Sequence, residues 1–184
     1  SVTARSQYTF QGASRSSFWF VGVLVLLEAI DQFLLRPAGT TLDGFGIRPR
    51  TRVGLLGILF SPLLHGGWEH LAANALPLLV LLTLLFWDRR YRPGSALAAI
   101  WLASGSGTWL IGRPGTVHIG ASSLIFGLVA YLIVSGVRMR SWRAAFVALL
   151  VLVAFGGIFY GVLPHAGPVS WEGHLCGAVA GAVT

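Results

Sequence analysis

The chain has no lysine, a single cysteine (Cys176) and a single methionine (Met139), and only 10% of its 184 residues are charged. A soluble domain carries about 25% charged residues, so these side chains are too few to cover a water-facing surface. With 55% hydrophobic residues and a mean hydropathy of +0.75, the expected solvent is lipid. A single cysteine excludes an internal disulfide. The 13 basic residues are all arginine and lie between apolar stretches. They make no continuous basic face, so the net charge of +7 does not point to nucleic acid as a partner. No H-E-x-x-H occurs, so Glu69-His70 is not a zinc-protease motif. Internal repeats and low-complexity tracts are absent too.

What the chain does have is six long apolar stretches, at about 18–35, 69–87, 94–111, 121–137, 144–163 and 173–184. They predict an all-α, polytopic membrane bundle of six transmembrane helices. Residues 1–17 read as a polar cytoplasmic lead and 18–184 as the membrane domain. The first stretch holds Glu28 and Asp31, read as lying on opposite sides of a turn, and runs on into further spans, so it is not a cleavable signal peptide. The connection 36–68 is rich in Gly and Pro, and its apolar run 53–64 is too short to span. It reads as an interfacial or partly inserted helical loop. The sixth stretch covers only about 16 Å as helix against roughly 30 Å of hydrocarbon. It is therefore expected to be cut short at Thr184, and the missing initial Met suggests a trimmed chain.

Arginine placement sets the expected orientation. With the N-terminus inside, inner segments carry Arg5, Arg15, Arg89, Arg90, Arg92, Arg138, Arg140 and Arg143. The short outer loops carry only Arg113, while the long first loop, which obeys the bias less strictly, carries Arg36, Arg48, Arg50 and Arg52. Tryptophans near the span ends read as interfacial anchors.

The residues able to do chemistry collect at one end of the even-numbered spans. Ser122 opens the fourth, in Gly120-Ala121-Ser122-Ser123. A serine there sits among first-turn N–H groups that lack helical partners, part of an oxyanion hole; the alternative is that Ser122 or Ser123 only caps the helix. His174 opens the sixth and can act as general base if a serine hydroxyl comes within reach. Gly173, Gly177 and Gly181 recur every fourth residue below it, a stripe that permits close helix contact, with Gly127 as the receiving surface. The alternative is a plain packing interface. His70 and Asn74, at i and i+4 on the second span, face one way and can both donate to an oxyanion; the alternative is a polar pair gluing helices. No acid stands beside His174, and Glu172 points elsewhere, so a Ser–His dyad is the economical arrangement. His65, His118 and His165 read as solvated loop residues.

These motifs resemble the rhomboid family of intramembrane serine proteases. His70-x-x-x-Asn74, Gly120-Ala121-Ser122, and His174 followed by Gly177 and Gly181 occur in order on the second, fourth and sixth spans. Phe126 matches an aromatic position that packs on the catalytic histidine, and the long first loop, with 60–66, is similar to the family's membrane-dipping loop. Ser123 departs from the pattern, which has glycine after the nucleophile. The resemblance implies hydrolysis of transmembrane protein substrates near the outer face of the plasma membrane. Ser122 and His174 would be catalytic, and His70, Asn74 and the Ser122 N–H would hold the oxyanion. Gly120, Phe126, Gly177 and Gly181 would support them, and no metal or organic cofactor would be needed. Two rival readings are a catalytically silent relative that binds transmembrane clients and a bundle that binds metal or haem through outer-face histidines.

Overall fold

The structure is a computed structural model that describes residues 8–184, apart from the side chains of residues 158 and 159. The part of the proposed polar lead at residues 1–7 lies outside the described residues. Among the described residues every regular element is helical, and the sole β contact is the isolated bridge between Ile47 and His118. Seven α-helices follow in order: α1 Phe10–Ile30, α2 Gly54–Phe60, α3 Trp68–Trp87, α4 Pro93–Ile111, α5 Ser122–Arg138, α6 Trp142–Phe155 and α7 Trp171–Val183.

Helix α1 begins earlier than its hydropathy suggests. Thr9 caps it by accepting the Gly12 N–H at 3.0 Å. Three serines inside its polar first turns return their hydroxyls to the preceding turn, Ser14 to Gln11 O, Ser16 to Gly12 O and Ser17 to Ala13 O. Polar side chains that satisfy themselves locally do not interrupt a helix. At its other end α1 continues through a π-turn, Asp31–Leu35. The composite Phe10–Leu35 and α3 are the two helices long and apolar enough to cross a membrane by length and composition alone. The segments Gly54–Leu63, Ser122–Arg138 and Trp142–Phe155 are apolar but shorter.

Glu28 and Asp31 share one buried face instead of standing on opposite sides of a turn, because i and i+3 are neighbours on a helix. Glu28 accepts from Gln32 Nε2 at 2.7 Å. Asp31 anchors the first loop: Arg36 Nε at 2.8 Å, Thr41 Oγ1 at 3.1 Å and the Leu42 N–H at 2.6 Å all point at its carboxylate. Buried charge with a full set of donors is tolerable where an unpaired charge is not.

The loop then forms α2, as its apolar run predicts. Gly57 packs against the Gly46–Ile47 backbone, while Leu55, Leu56, Leu59 and Phe60 face outward. Two tryptophans expected to be membrane anchors fasten this loop instead. Trp101 Nε1 donates to Ile58 O and Leu59 O at 3.1 Å, and Trp109 Nε1 to Thr51 O at 2.9 Å.

Helix α5 is the centre of the bundle. Leu124, Leu128, Val129 and Leu132 are fully buried on it, and α3, α4, α6 and α7 all pack against it. Glycine sets its distance to two neighbours. A Cβ on Gly136 would meet Ala148 and the Ala144 carbonyl of α6, and one on Gly177 or Gly181 would overlap the Ser123 or Gly127 carbonyl of α5. Gly173, the third member of the stripe, faces Ser170 and Thr108 instead.

Candidate active site

Helix α5 starts at Ser122, and the cap position belongs to Ala121, which makes no side-chain cap. The Ser122 hydroxyl is therefore free of capping duty. It lies 3.1 Å from His174 Nε2 on α7. The close α5–α7 approach at Gly177 brings these first turns together, since a side chain there would push α7 away from the Ser123 carbonyl.

The His174 ring is held on two further sides. Nδ1 lies 3.1 Å from the Gly161 carbonyl. Only an N–H can bond to a carbonyl, so Nδ1 carries the ring hydrogen and Nε2 presents its lone pair to Ser122. The Phe126 ring stacks on the imidazole with centroids 4.1 Å apart and planes 10° off parallel. A Cβ on Gly161 would lie 2.9 Å from Phe126 Cζ and 3.2 Å from His174 Nδ1, so a glycine is needed for this carbonyl to reach the ring. Nothing in the spacing around Gly161 announced this contact; it comes from the turn Gly156–Val162 folding back over α7.

The loop preceding Ser122 is shaped by three contacts. Gly120 has φ +110°, a left-handed conformation suited to glycine. Its N–H donates to Ser61 O at 2.9 Å, and the Ala121 N–H reaches His65 Nε2 at 3.4 Å. A Cβ at Gly120 would stand 2.6 Å from His70 Nε2 and 3.7 Å from Asn74 Nδ2, so the backbone before Ser122 runs directly against both side chains. His70 Nδ1 accepts the Gly66 N–H at 3.3 Å, which leaves the ring hydrogen on Nε2, the atom on the Gly120 side. Asn74 is 6% exposed, and its Nδ2 has no hydrogen-bond partner. A buried amide donor without an acceptor is costly, on the order of 1–3 kcal/mol.

A cleft of about 630 Å³ opens over these groups, lined among others by His70, Asn74, Ser122 and His174. The structure brings together Ser122, His174, His70 and Asn74 around the cleft, with Gly120 and Phe126 against them and Gly177 and Gly181 beneath. Among the described residues no three His, Cys, Asp or Glu side chains converge as a metal site.

Two loop histidines expected in solvent are buried. His65 is 2% exposed and His118 6%. Burial, helped by the neighbouring His70, pushes His65 down to about 4, and burial likewise lowers His118 below the usual histidine range. Glu172 does point away from the His174 ring: it is fully buried and paired with Arg113 Nε at 2.7 Å. Arg113 also donates to Gly167 O and Val169 O, tying the third loop to the start of α7.

Comparison with known proteins identifies the family. A family model described as the rhomboid domain matches residues 53–184. Uncharacterized proteins of Mycobacterium tuberculosis and Mycobacterium bovis are each 48% identical over 172 residues, covering 89% of this chain and 70% of the relative. One from Mycobacterium leprae is 44% identical over 173 residues, covering 89% of this chain and 66% of the relative. No solved structure matches. The chain belongs to the rhomboid family and is an integral membrane protein.

Proposed function

We propose that this chain is an intramembrane serine protease that hydrolyses a peptide bond of transmembrane substrates with a Ser122–His174 dyad. The observation that carries the reading is the His174 ring itself. Its Nδ1–H is committed to the Gly161 carbonyl, so its bare Nε2 faces the Ser122 hydroxyl at 3.1 Å. That is the tautomer and the distance a general base needs. Ser122 Oγ attacks the scissile carbonyl carbon while its proton passes to Nε2. The carbonyl oxygen becomes an oxyanion, received by the Ser122 N–H, His70 Nε2–H and Asn74 Nδ2–H. The unpartnered Asn74 amide supports this role, because the oxyanion supplies the acceptor it lacks. As the C–N bond breaks, His174 returns the proton to the leaving amine. Water admitted through the cleft then hydrolyses the acyl-serine with the same base. No cofactor takes part.

The membrane arrangement belongs to the same proposal. Six spans cross the plasma membrane with the N-terminus cytoplasmic and the cleft toward the outer face. Residues 1–17 precede the membrane domain 18–184. Helix α4 measures about 28 Å, and α6 with its 3₁₀ continuation about 35 Å, lengths that suit crossing. Central helix α5 is shorter, about 25 Å, which favours a catalytic serine recessed below the membrane surface and reached by water from one side.

The test is cleavage in reconstituted vesicles of a single-span substrate carrying a reporter on each end. The wild type is expected to cut on the outer side, and Ser122→Ala and His174→Ala to leave the substrate whole. Stoichiometric binding without cleavage by the wild type would mark the chain as a client-binding relative instead.

A further inference from the structure

The third loop contains a hydrogen-bond chain that ends one residue short of the proposed base. Thr116 Oγ1 donates its one hydrogen to Arg113 O at 2.7 Å, so it can only accept from His118 Nε2 at 2.8 Å. The His118 ring hydrogen therefore sits on Nε2, and Nδ1 is a bare acceptor. The Ser170 hydroxyl stands 2.6 Å from that Nδ1 and donates to it. The same Ser170 oxygen caps α7 by accepting the Gly173 N–H at 3.0 Å. His118 itself cannot drift, because its backbone exchanges both hydrogen bonds with Ile47, at 2.9 and 2.8 Å.

We propose that His118 is a positioning residue: by accepting the Ser170 hydroxyl it aims the cap of α7 and so holds His174 in register with Ser122. The proposal rests on the dyad reading above. A serine cap alone lets the hydroxyl rotate; here His118 leaves it one orientation, with the lone pair toward Gly173. The next residue is His174, so a tilt of the first turn of α7 translates directly into the Ser122–His174 distance. Displacements of about 1 Å cost on the order of a hundredfold in rate. Arg113–Glu172 is a second tether between the same loop and the same turn.

The clamp requires a neutral ring. A hydrogen on Nδ1 would leave the Ser170 oxygen accepting from both Gly173 and His118, with its own hydrogen turned away from its acceptor at a half-buried position. The charged groups facing the ring are Arg113 on its own loop, which disfavours protonation, and Glu172 on α7, which favours it; the first loop presents the Ile47 backbone. Burial dominates and lowers the His118 pKa. The clamp is thus intact above that lowered pKa and is lost as pH falls through it.

The experiment measures kcat and KM against pH in reconstituted enzyme, beside ¹⁵N-histidine spectra of the same protein. His118→Leu and Ser170→Ala should each lower kcat roughly ten- to a hundredfold with KM little changed, and the double variant should be no worse than either. His118→Asn, whose Oδ1 stands near the Nδ1 position, should recover most of the loss. Ser170→Asp still caps Gly173 but offers no hydrogen to Nδ1 and accepts one from a protonated ring, so its clamp should form as pH falls through the His118 pKa, and the acid limb due to the clamp should disappear. The spectra should show His118 neutral at pH 7 with hydrogen on Nε2. Wild-type kcat in both single variants, fully additive losses, or a ring with hydrogen on Nδ1 would overturn the proposal. If the wild type neither cleaves nor labels with a serine probe, the protease reading fails, and the spectra still decide the clamp.

Discussion

Gly181 on α7 faces the carbonyl of Gly127 on α5 so closely that a single added methyl would overlap that oxygen. Gly177, one turn nearer the cleft, meets the Ser123 carbonyl in the same way. The separation of two backbones, rather than any catalytic atom, sets the distance between Ser122 and His174.

Gly177→Val should therefore abolish cleavage while the protein still inserts in the membrane. The branched side chain forces α7 outward, and about 1 Å of displacement costs on the order of a hundredfold. Gly22→Val is the control, since nothing lies within 4 Å of a Cβ there. Single-turnover cleavage of a transmembrane substrate checks both. Wild-type rates in Gly177→Val would mean that the helices can part without harm.

Gly120→Ala should be as damaging, by another route. Its φ of +110° strains any residue with a Cβ, and that Cβ would lie 2.6 Å from His70 Nε2. The loop and His70 cannot both keep their places. Activity should fall at least as far as in His70→Ala, measured in the same assay.

Asn74→Ala removes one of three proposed oxyanion donors. A single donor is worth about 3–4 kcal/mol where geometry is tight and less where donors overlap, so the rate should drop by about tenfold to a few hundredfold without vanishing. KM should hold, because the interaction forms in the transition state. An unchanged kcat would leave Asn74 as a packing residue.

Acid should weaken the fold through His65. Its pKa in the fold, about 4, lies below the ordinary 6.5, so the unfolded chain binds the extra proton first. Stability is full above about pH 6.5, falls as pH drops toward 4, and changes no further below that, a loss of about 3 kcal/mol at most. His118, also lowered by burial, adds to the same slope. Thermal unfolding in detergent at pH 7 and pH 5 should show the lower midpoint at pH 5, and His65→Asn should flatten the dependence without removing it.

The residues of the candidate site were more legible in the sequence than the fold that surrounds them. Ser122, His174, His70 and Asn74 were legible because ionisable and hydroxyl groups are scarce in apolar stretches and stand out there. The glycine stripe was legible because its period is that of a helix, although Gly173 turned out to serve the cap instead. Hydropathy misplaced the start of α1, since it cannot register serines that satisfy themselves against the preceding turn. It also placed His65 and His118 in solvent, since a loop position says nothing about which backbone will fold over it. Gly161 was invisible for a simpler reason: a carbonyl belongs to every residue, and only the tertiary path decides which one meets His174.

The most direct test of the central claim is where a covalent serine probe lands. Ser122 Oγ is 3.1 Å from His174 Nε2, whereas Ser123 is rotated about 100° around α5 and turns its carbonyl toward Gly177. Purified protein in detergent should be labelled by a fluorophosphonate, with the adduct mapped by mass spectrometry to Ser122. Labelling should vanish in Ser122→Ala and His174→Ala and persist or rise in Ser123→Gly. An adduct on Ser123, or undiminished labelling in His174→Ala, would contradict the dyad.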